Sequence, residues 1–225
     1  MKPNSEQRAP NYKLRYAMSK RQRTGMALAG LLVAAFLIWF ERIPAKLGWE
    51  RQPESEEQRK AYDIEKYHAR SFHVVNVIDG DTIEIGIPDS EYIFTRIRLW
   101  GVDTPETKDP NLPVQYFGPE ATDFVTKLAL RRQVTVYLDA SNHMRDKYKR
   151  LLAYVQLPDS RFLNEVLLSE GFAYADLRFR HSFFNKYQQL ESSAHSLKKG
   201  LWEKVTRQQL PEWLKRERPN LLLEK

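Results

Sequence analysis

The sequence contains no cysteine among its 225 residues. This absence excludes disulfide bonds, thiolate catalysis, cysteine-based zinc sites and a lipoprotein anchor, but it leaves the redox compartment open. Residues 70–204 also lack an excess of charge of either sign, since they hold 18 basic and 18 acidic side chains. Any contact with nucleic acid must therefore depend on the local placement of charged groups rather than on bulk charge.

The net charge of +7 comes mostly from residues 1–24, which hold seven Lys or Arg residues against one Glu. The next segment, 25–40, is GMALAGLLVAAFLIWF and carries no charge. A helix of this length spans roughly 24 Å, short of the roughly 30 Å hydrocarbon core, but the flanking Arg23 and Arg42 can snorkel to the interfaces. A buried helix or a cleaved signal peptide would have a similar composition.

We expect residues 1–24 to be a basic cytoplasmic tail and residues 25–40 to be an uncleaved transmembrane signal anchor in a lipid bilayer, because positive charge favours the cytoplasmic side. The chain would then be a single-pass membrane protein with everything after residue 45 on the non-cytoplasmic side. Residues 41–70 are polar and charged, which predicts a partly helical spacer. No protein partner is indicated.

From residue 72 onward apolar side chains alternate with polar ones, which predicts β-strands. Three such runs occur before residue 100, including a strand from Ile93 to Leu99, and DGD at 79–81 separates the first two. Two more strands are predicted at 133–138 and 151–157.

The period changes to that of a helix after Pro119, and further helices are predicted at 163–170 and 182–198, the last one ending at Gly200 in a Schellman-type stop. Three strands, a helix, two strands and trailing helices are the order of a five-stranded OB-fold barrel with three helices, an α+β, mainly β, domain. We place this domain at 71–204 and a C-terminal tail at 205–225, for which no role is evident.

Three acids follow predicted strand ends: Asp81 in DGDT, and Asp103 and Glu106 in VDTPET. Two carboxylates and the backbone carbonyl of Thr104 are oxygen ligands suited to a hard divalent cation. Glu106 lies further along the turn and is suited to deprotonating a water molecule. Two guanidinium groups, on Arg98 and Arg150, match the oxygens of a phosphodiester.

Each of these features alone has an ordinary structural explanation. DGD is more often a turn than a metal site, alternating arginines on a strand are usually solvated, and VDTPE can be an Asx turn stopped by proline. The occurrence of all three in this order on this strand pattern favours a phosphate-handling metal site.

The chain resembles the staphylococcal nuclease (thermonuclease) family of calcium-dependent, OB-fold nucleases. The resemblance covers about 72–203 and rests on successive motifs in the family's order: VIDGDT, RLWGVDTPET, YFGPEA, DKYKRLLAY and LNEVLLSEGFA. It implies cleavage of DNA and RNA with little sequence preference, leaving 3′-phosphate ends.

The resemblance also implies roles for single residues. Asp81, Asp103 and the Thr104 carbonyl would hold Ca²⁺, with Asp79 behind them. Glu106 would be the general base, and Arg98 and Arg150 would clamp the scissile phosphate. Lys147 and Tyr148 would touch a neighbouring phosphate. Such a calcium site would be weak, with a dissociation constant of about 10⁻⁴–10⁻³ M.

Two positions depart from the family pattern. Lys149 stands where glycine is usual, which would cost roughly 1–2 kcal/mol if the position needs φ > 0. Leu177 stands where a tyrosine stacks on the nucleotide base, so stacking would fall to Phe179 or Tyr174. One alternative to an active nuclease is therefore a nuclease-inactive OB-fold module that binds nucleic acid or protein at a membrane. Another is a membrane-tethered scaffold that uses residues 210–225 as a partner surface, for which an exposed Trp213 and Leu221–Leu223 are a weak hint.

Overall fold

The computed structural model describes residues 55–108, 110 and 113–222. The predicted cytoplasmic tail at 1–24 and the predicted transmembrane segment at 25–40 lie outside these residues. Among the helices of the described part, none combines the length and apolar character needed to cross a bilayer.

Five strands close into a barrel, which confirms the predicted OB-fold. In chain order they are β1 (Arg70–Asp79), β2 (Thr82–Ile85), β3 (Thr95–Leu99), β5 (Gln133–Tyr137) and β6 (Leu151–Gln156). Their order around the barrel is β1-β2-β3-β6-β5, and β5 pairs back onto β1. All pairs are antiparallel except β3 with β6.

A second sheet has two strands and lies where the turn with the predicted acids Asp103 and Glu106 begins. It consists of β4 (Val102–Asp103) and β7 (Tyr174–Ala175), with Asp103 opposite Tyr174. The pairing fixes the backbone that carries one of the candidate metal ligands.

The helices extend beyond the three that the sequence predicts. They are α1 (Glu56–Tyr67), α2 (Gly118–Ala129), α3 (Leu163–Ser169), α4 (Phe184–Ser196) and α5 (Glu212–Glu217), with 3₁₀ turns at Gly200–Glu203 and Arg207–Gln209. The predicted helices correspond to α2, α3 and α4. Helix α1 falls within the predicted spacer and α5 within the predicted tail.

The barrel interior follows the alternation in the sequence. Ile83, Ile85, Ile97 and Leu99 are each at most 1% exposed. The predicted start of the third strand at Ile93 is wrong, because β3 begins at Thr95 and Ile93 is 76% exposed.

Thr95, the first residue of β3, is buried and its hydroxyl makes two contacts. Its Oγ1 donates to the Ile87 carbonyl at 2.9 Å and lies 3.0 Å from the Tyr67 hydroxyl. The residues just before Thr95 form a tight bridge between Asp89 and Tyr92 and stay outside the ladder.

The Schellman-type stop of α4 occurs two residues earlier than predicted. Lys198 adopts φ of 52°, and the Lys199 and Lys198 N–H groups donate to the carbonyls of Ala194 and His195. Gly200 serves a different purpose, since a Cβ there would lie 2.3 Å from the Gly171 carbonyl oxygen. Glycine is needed at 200 for this close backbone contact rather than as the helix stop.

The described residues on either side of 71–204, namely 55–70 and 205–222, belong to the folded body. Helix α1 buries Tyr67 and is tied to the barrel by Arg145, which pairs with Asp63 and Asp89 at 2.6 Å each. At the other end, Leu210 and Leu214 are buried in a second apolar cluster.

Candidate active site

The turn between β1 and β2 carries two of the predicted acids. Asp79 is buried, and it accepts hydrogen bonds from the Gly80 N–H at 2.8 Å, Thr107 Oγ1 at 2.9 Å and Thr122 Oγ1 at 3.1 Å. Burial, and secondarily the charge of Asp81, raises the pKa of Asp79 to about 6. Asp79 therefore ties the acid-bearing turn at 103–107 and helix α2 to the barrel.

Gly80 allows this turn to approach its neighbour closely. A Cβ at this position would lie 2.8 Å from Thr104 Oγ1 and 2.9 Å from the Ala121 Cβ. The glycine of DGD is thus required by packing, and it brings the Asp81 end of the turn against Thr104.

Asp81 and Asp103, which are 22 positions apart in the sequence, meet at one guanidinium group. Arg98 NH1 lies 3.1 Å from Asp81 Oδ2, and Arg98 NH2 lies 2.6 Å from Asp103 Oδ1. Arg98 NH1 also donates to the Val102 carbonyl at 2.6 Å. The structure therefore brings together the predicted acids and the first predicted arginine.

The surroundings of Asp103 and Arg98 shift the pKa values of both groups. Burial raises the pKa of Asp103 to about 6, although the positive charge of Arg98 acts in the opposite direction. Burial by itself would lower the pKa of Arg98, but the charges of Asp81 and Asp103 outweigh it and the pKa is raised. A cation held between the two acids would favour their ionised forms.

The acids fit a hard divalent cation. Asp81 accepts from the Thr104 N–H at 3.0 Å and from Thr82 Oγ1 at 2.9 Å, in addition to Arg98. A carboxylate offers about four lone-pair sites, so both acids retain capacity for a metal. Within the described residues no group of three or more His, Cys, Asp or Glu side chains could hold a metal, so backbone carbonyl and water oxygens would have to complete the shell.

Glu106 lines the same cleft but makes different contacts. Its Oε1 accepts from the N–H groups of Thr107 at 2.9 Å and Lys108 at 2.6 Å. The backbone of Glu106 is paired with Gln115 in both directions, at 3.0 Å and 2.9 Å. These bonds restrict the Glu106 carboxylate within the cleft.

Arg150 reaches the cluster from the turn before β6. Its Nε donates to Asp146 Oδ2 at 2.6 Å, and its NH1 lies 3.4 Å from Thr82 Oγ1. Because Thr82 Oγ1 also donates to Asp81, one hydroxyl connects the second arginine to the first acid.

Position 149, in the turn that carries Arg150, does need a positive φ, since Lys149 adopts φ of 63°. The strained conformation is nevertheless formed, and the Lys149 N–H donates to the Asp146 carbonyl at 2.9 Å. Tyr148 is 68% exposed beside it, with Lys147 Nζ 4.9 Å from the centre of its ring. The other predicted phosphate contacts are therefore accessible at the rim of the cleft.

Of the two residues considered as replacements for a stacking tyrosine, one is accessible. Tyr174 is 1% exposed, which excludes it as a base-stacking surface, whereas Phe179 is 51% exposed and its ring centre lies 5.8 Å from that of Trp100. Leu177 packs against the main apolar core.

Sequence reasoning assigned no role at the site to two residues that contact it. Asp146 holds Arg150, and it lies in DKYKR, where it looks like part of an ordinary charged turn. Trp213 donates from Nε1 to Asp103 Oδ2 at 2.7 Å, although 110 positions separate the two. Only its place in an otherwise charged helix, within LPEWLKRE, distinguishes Trp213 in the sequence.

The site lies in a cleft of about 1310 Å³. Its walls include the acids and arginines described above, the aromatic pair Trp100 and Phe179, and residues 208–213 of the C-terminal segment. This volume is large enough for a polymer segment rather than a small metabolite alone.

The barrel and the cleft define an OB-fold protein in which carboxylate oxygens suited to a metal ion lie beside two arginines. Residues 96–204 match the family model described as "Staphylococcal nuclease homologue". The chain is 40% identical over 144 residues to the thermonuclease of Staphylococcus hyicus, covering 64% of this chain and 82% of the relative.

Other relatives have similar coverage. The thermonuclease of Staphylococcus intermedius is 40% identical over 141 residues, 60% of this chain and 77% of the relative. Endonuclease YncB of Bacillus subtilis (strain 168) is 33% identical over 157 residues, 68% of this chain and 67% of the relative. The chain belongs to the staphylococcal nuclease family.

Proposed function

We propose that this protein is a calcium-dependent nuclease that hydrolyses phosphodiester bonds of DNA, RNA or both with little sequence preference, leaving 3′-phosphate ends. The observation that carries the proposal is the convergence of Asp81 and Asp103 on Arg98, at 3.1 and 2.6 Å, in a cleft that Glu106 and Arg150 also line. Relatives named thermonuclease and endonuclease support it.

Each residue has a defined task in this reaction. Asp81, Asp103 and the Thr104 carbonyl would hold Ca²⁺, which offsets phosphate charge and lowers the pKa of nearby water. Glu106 accepts the proton of the attacking water at its carboxylate, the P–O5′ bond breaks, and the 5′ oxygen leaves as a hydroxyl that takes its proton from solvent. Arg98 and Arg150 donate to the phosphate oxygens, whose negative charge increases in the transition state.

The arginines can do this because they are already oriented. Asp146 holds the Arg150 guanidinium, and the carbonyls of Val102 and Leu99 hold that of Arg98. Donors fixed before the reaction need no reorganisation when charge develops. Lys147 and Tyr148 at the rim would contact a neighbouring phosphate.

The test is cleavage by the full chain of single-stranded DNA, duplex DNA and RNA, each with Ca²⁺, with Mg²⁺ and with a chelator. We expect Ca²⁺-dependent cleavage whose products cannot be extended at the 3′ end until a phosphatase removes the terminal phosphate. A folded chain that cuts none of the three substrates across a millimolar range of Ca²⁺ would instead favour a nuclease-inactive OB module.

We further propose that residues 25–40 anchor the protein in a bilayer with the nuclease domain on the non-cytoplasmic side. The support is the uncharged 25–40 segment and the basic residues before it. A weak calcium site would fill outside a cytoplasm and stay largely empty inside it. Protease added to cells stripped of their outer layer should digest the domain; complete protection would contradict this orientation.

A further inference from the structure

The Asp103 carboxylate has a hydrogen-bond donor on each of its oxygens. Arg98 NH2 donates to Oδ1 at 2.6 Å, and Trp213 Nε1 donates to Oδ2 at 2.7 Å. Both distances are short for hydrogen bonds from nitrogen. Two donors on the two oxygens restrict rotation of the carboxylate, whereas Arg98 alone would leave one oxygen without this constraint.

The indole of Trp213 is itself held in place. The Arg178 guanidinium lies 4.2 Å from the centre of the Trp213 ring, in cation–π geometry. Arg178 is fixed by two bonds to Asp176, Nε to Oδ1 and NH2 to Oδ2, both at 2.7 Å. The donor that reaches Asp103 therefore belongs to a side chain with little freedom of its own.

Helix α5, which carries Trp213, is also anchored by neighbouring apolar and charged residues. Leu214 is fully buried in the second apolar cluster, and Leu210 is 4% exposed there. Arg218 makes a two-point ion pair with the buried Glu191, with NH2 to Oε1 at 2.8 Å. Helix α5 is thus docked through apolar burial and a buried ion pair.

The residues that dock helix α5 are also linked to β4, the strand that carries Asp103. Glu191 Oε1 also accepts from the Ala175 N–H at 2.9 Å, and Ala175 lies on β7 opposite Val102 of β4. The C-terminal segment and β4 therefore share β7 as a common support. Strand β7 therefore supports both the segment that carries the Trp213 indole and the strand that carries the Asp103 carboxylate.

We propose that Trp213 is a positioning residue that fixes the Asp103 carboxylate in the orientation required to bind the divalent cation. The inference rests on the proposed function, because it assigns Asp103 to a metal. Groups that hydrogen-bond to a ligating carboxylate orient it, and their loss weakens metal binding. The segment 205–222 then completes the metal site from outside the barrel.

The test compares Ca²⁺ affinity, measured by calorimetry on the full chain, for the wild type, Trp213→Phe and Trp100→Phe. Trp213→Phe keeps an aromatic ring but removes the N–H donor. Trp100→Phe is the matched control, because Trp100 lines the same cleft and its Nε1 has no hydrogen-bond partner in the described part of the chain. A second measurement follows the indole N–H resonance of Trp213 in the ¹⁵N-labelled chain and in Asp103→Ala.

We expect Ca²⁺ affinity to fall about tenfold in Trp213→Phe, which is the lower end of the losses typical when a partner of a metal ligand is removed. In Trp100→Phe the affinity should stay within about twofold of wild type. The Trp213 indole proton should move upfield in Asp103→Ala while that of Trp202 does not. Unchanged affinity in a folded Trp213→Phe chain would overturn the proposal.

Different results would contradict the proposed Ca²⁺-dependent function and the positioning role of Trp213. A wild-type chain that binds no Ca²⁺ contradicts the metal in the proposed function, and the resonance measurement then decides whether Trp213 holds Asp103. An indole resonance that is the same with and without the Asp103 carboxylate would overturn the positioning role even if the enzyme binds Ca²⁺.

Discussion

Arg150 is held by Asp146, four positions earlier in the same turn, through a 2.6 Å bond from Nε to Oδ2. The other oxygen of Asp146 accepts from the backbone N–H groups of Tyr148 at 2.9 Å and Arg150 at 3.0 Å. One carboxylate thus fixes both the backbone of the turn and the direction of the guanidinium.

Asp146→Asn should lower kcat by about 10- to 100-fold, because small displacements of a catalytic group are costly. The amide can still accept from the turn's N–H groups but loses its charge at Arg150. Steady-state kinetics with a DNA substrate measure the effect. Asp159→Asn is the matched control, since Asp159 makes a comparable 2.6 Å pair with Arg161 on the exposed surface. Equal activity in both variants would contradict a positioning role for Asp146.

Lys149→Gly should raise the free energy of unfolding by about 0.5–1 kcal/mol. Removing the side chain relieves roughly 1–2 kcal/mol of left-handed strain, which exceeds the roughly 0.5–1 kcal/mol of extra chain entropy that glycine loses on folding. Urea unfolding measures the change. Lys147→Gly, in the same turn and without a positive φ, should instead destabilise the protein. A change of the same sign in both variants would rule out strain at Lys149.

Asp139 should stabilise the fold in a pH-dependent manner. Burial alone would raise its pKa, but hydrogen bonds from Ser141, Ser182 and Asn142 outweigh this and hold the pKa of Asp139 well below its usual range. Because the pKa is lower in the folded state, the stabilisation is present above the unfolded pKa of about 3.9 and is lost as the pH falls below it.

Asp139→Asn should therefore cost about 1.5–3 kcal/mol at neutral pH, the contribution of hydrogen bonds to a charged group. The difference from wild type should shrink as the pH falls below about 4. Chemical denaturation at pH 7, 5 and 3 measures it. A difference that stays constant over this range would show that the charge of Asp139 contributes nothing.

Leu214→Ala should destabilise the nuclease domain by about 2–5 kcal/mol, because it leaves a cavity in the second apolar cluster. Leu197→Ala, at a position that is 66% exposed, should change stability by less than about 0.5 kcal/mol. Thermal and urea unfolding of both variants test whether residues 205–222 are part of the cooperative fold. Similar small effects would show that α5 docks only weakly.

The barrel was predictable because apolar residues alternate with polar ones along β2 and β3. Ile83, Ile85, Ile97 and Leu99 all face inward, as their period of two requires. The same alternation failed at Ile93, because local turn geometry before Thr95 overrides the pattern. Helix α4 was also predictable, but its stop was not, since a lysine adopts the left-handed conformation that glycine usually takes.

The catalytic candidates were predictable only in part, because their motifs are local and the contacts between them are not. VDTPET and DGDT identify Asp81 and Asp103, but nothing in either motif shows that they share Arg98. The bond from Trp213 crosses 110 positions of sequence, so no local pattern could indicate it. No role could be predicted for the tail, because Trp213 and Arg218 bond to Asp103 and Glu191, which lie far from them in the sequence.

In the proposed reaction Glu106 activates water, while Asp81 and Asp103 hold the metal. The most direct test measures DNA cleavage and Ca²⁺ affinity together in Glu106→Gln. We predict that cleavage falls about 10²–10⁴-fold, as expected for loss of a general base, while Ca²⁺ affinity stays within about twofold of wild type. Near-normal cleavage, or a loss of Ca²⁺ binding in parallel with activity, would contradict the assignment.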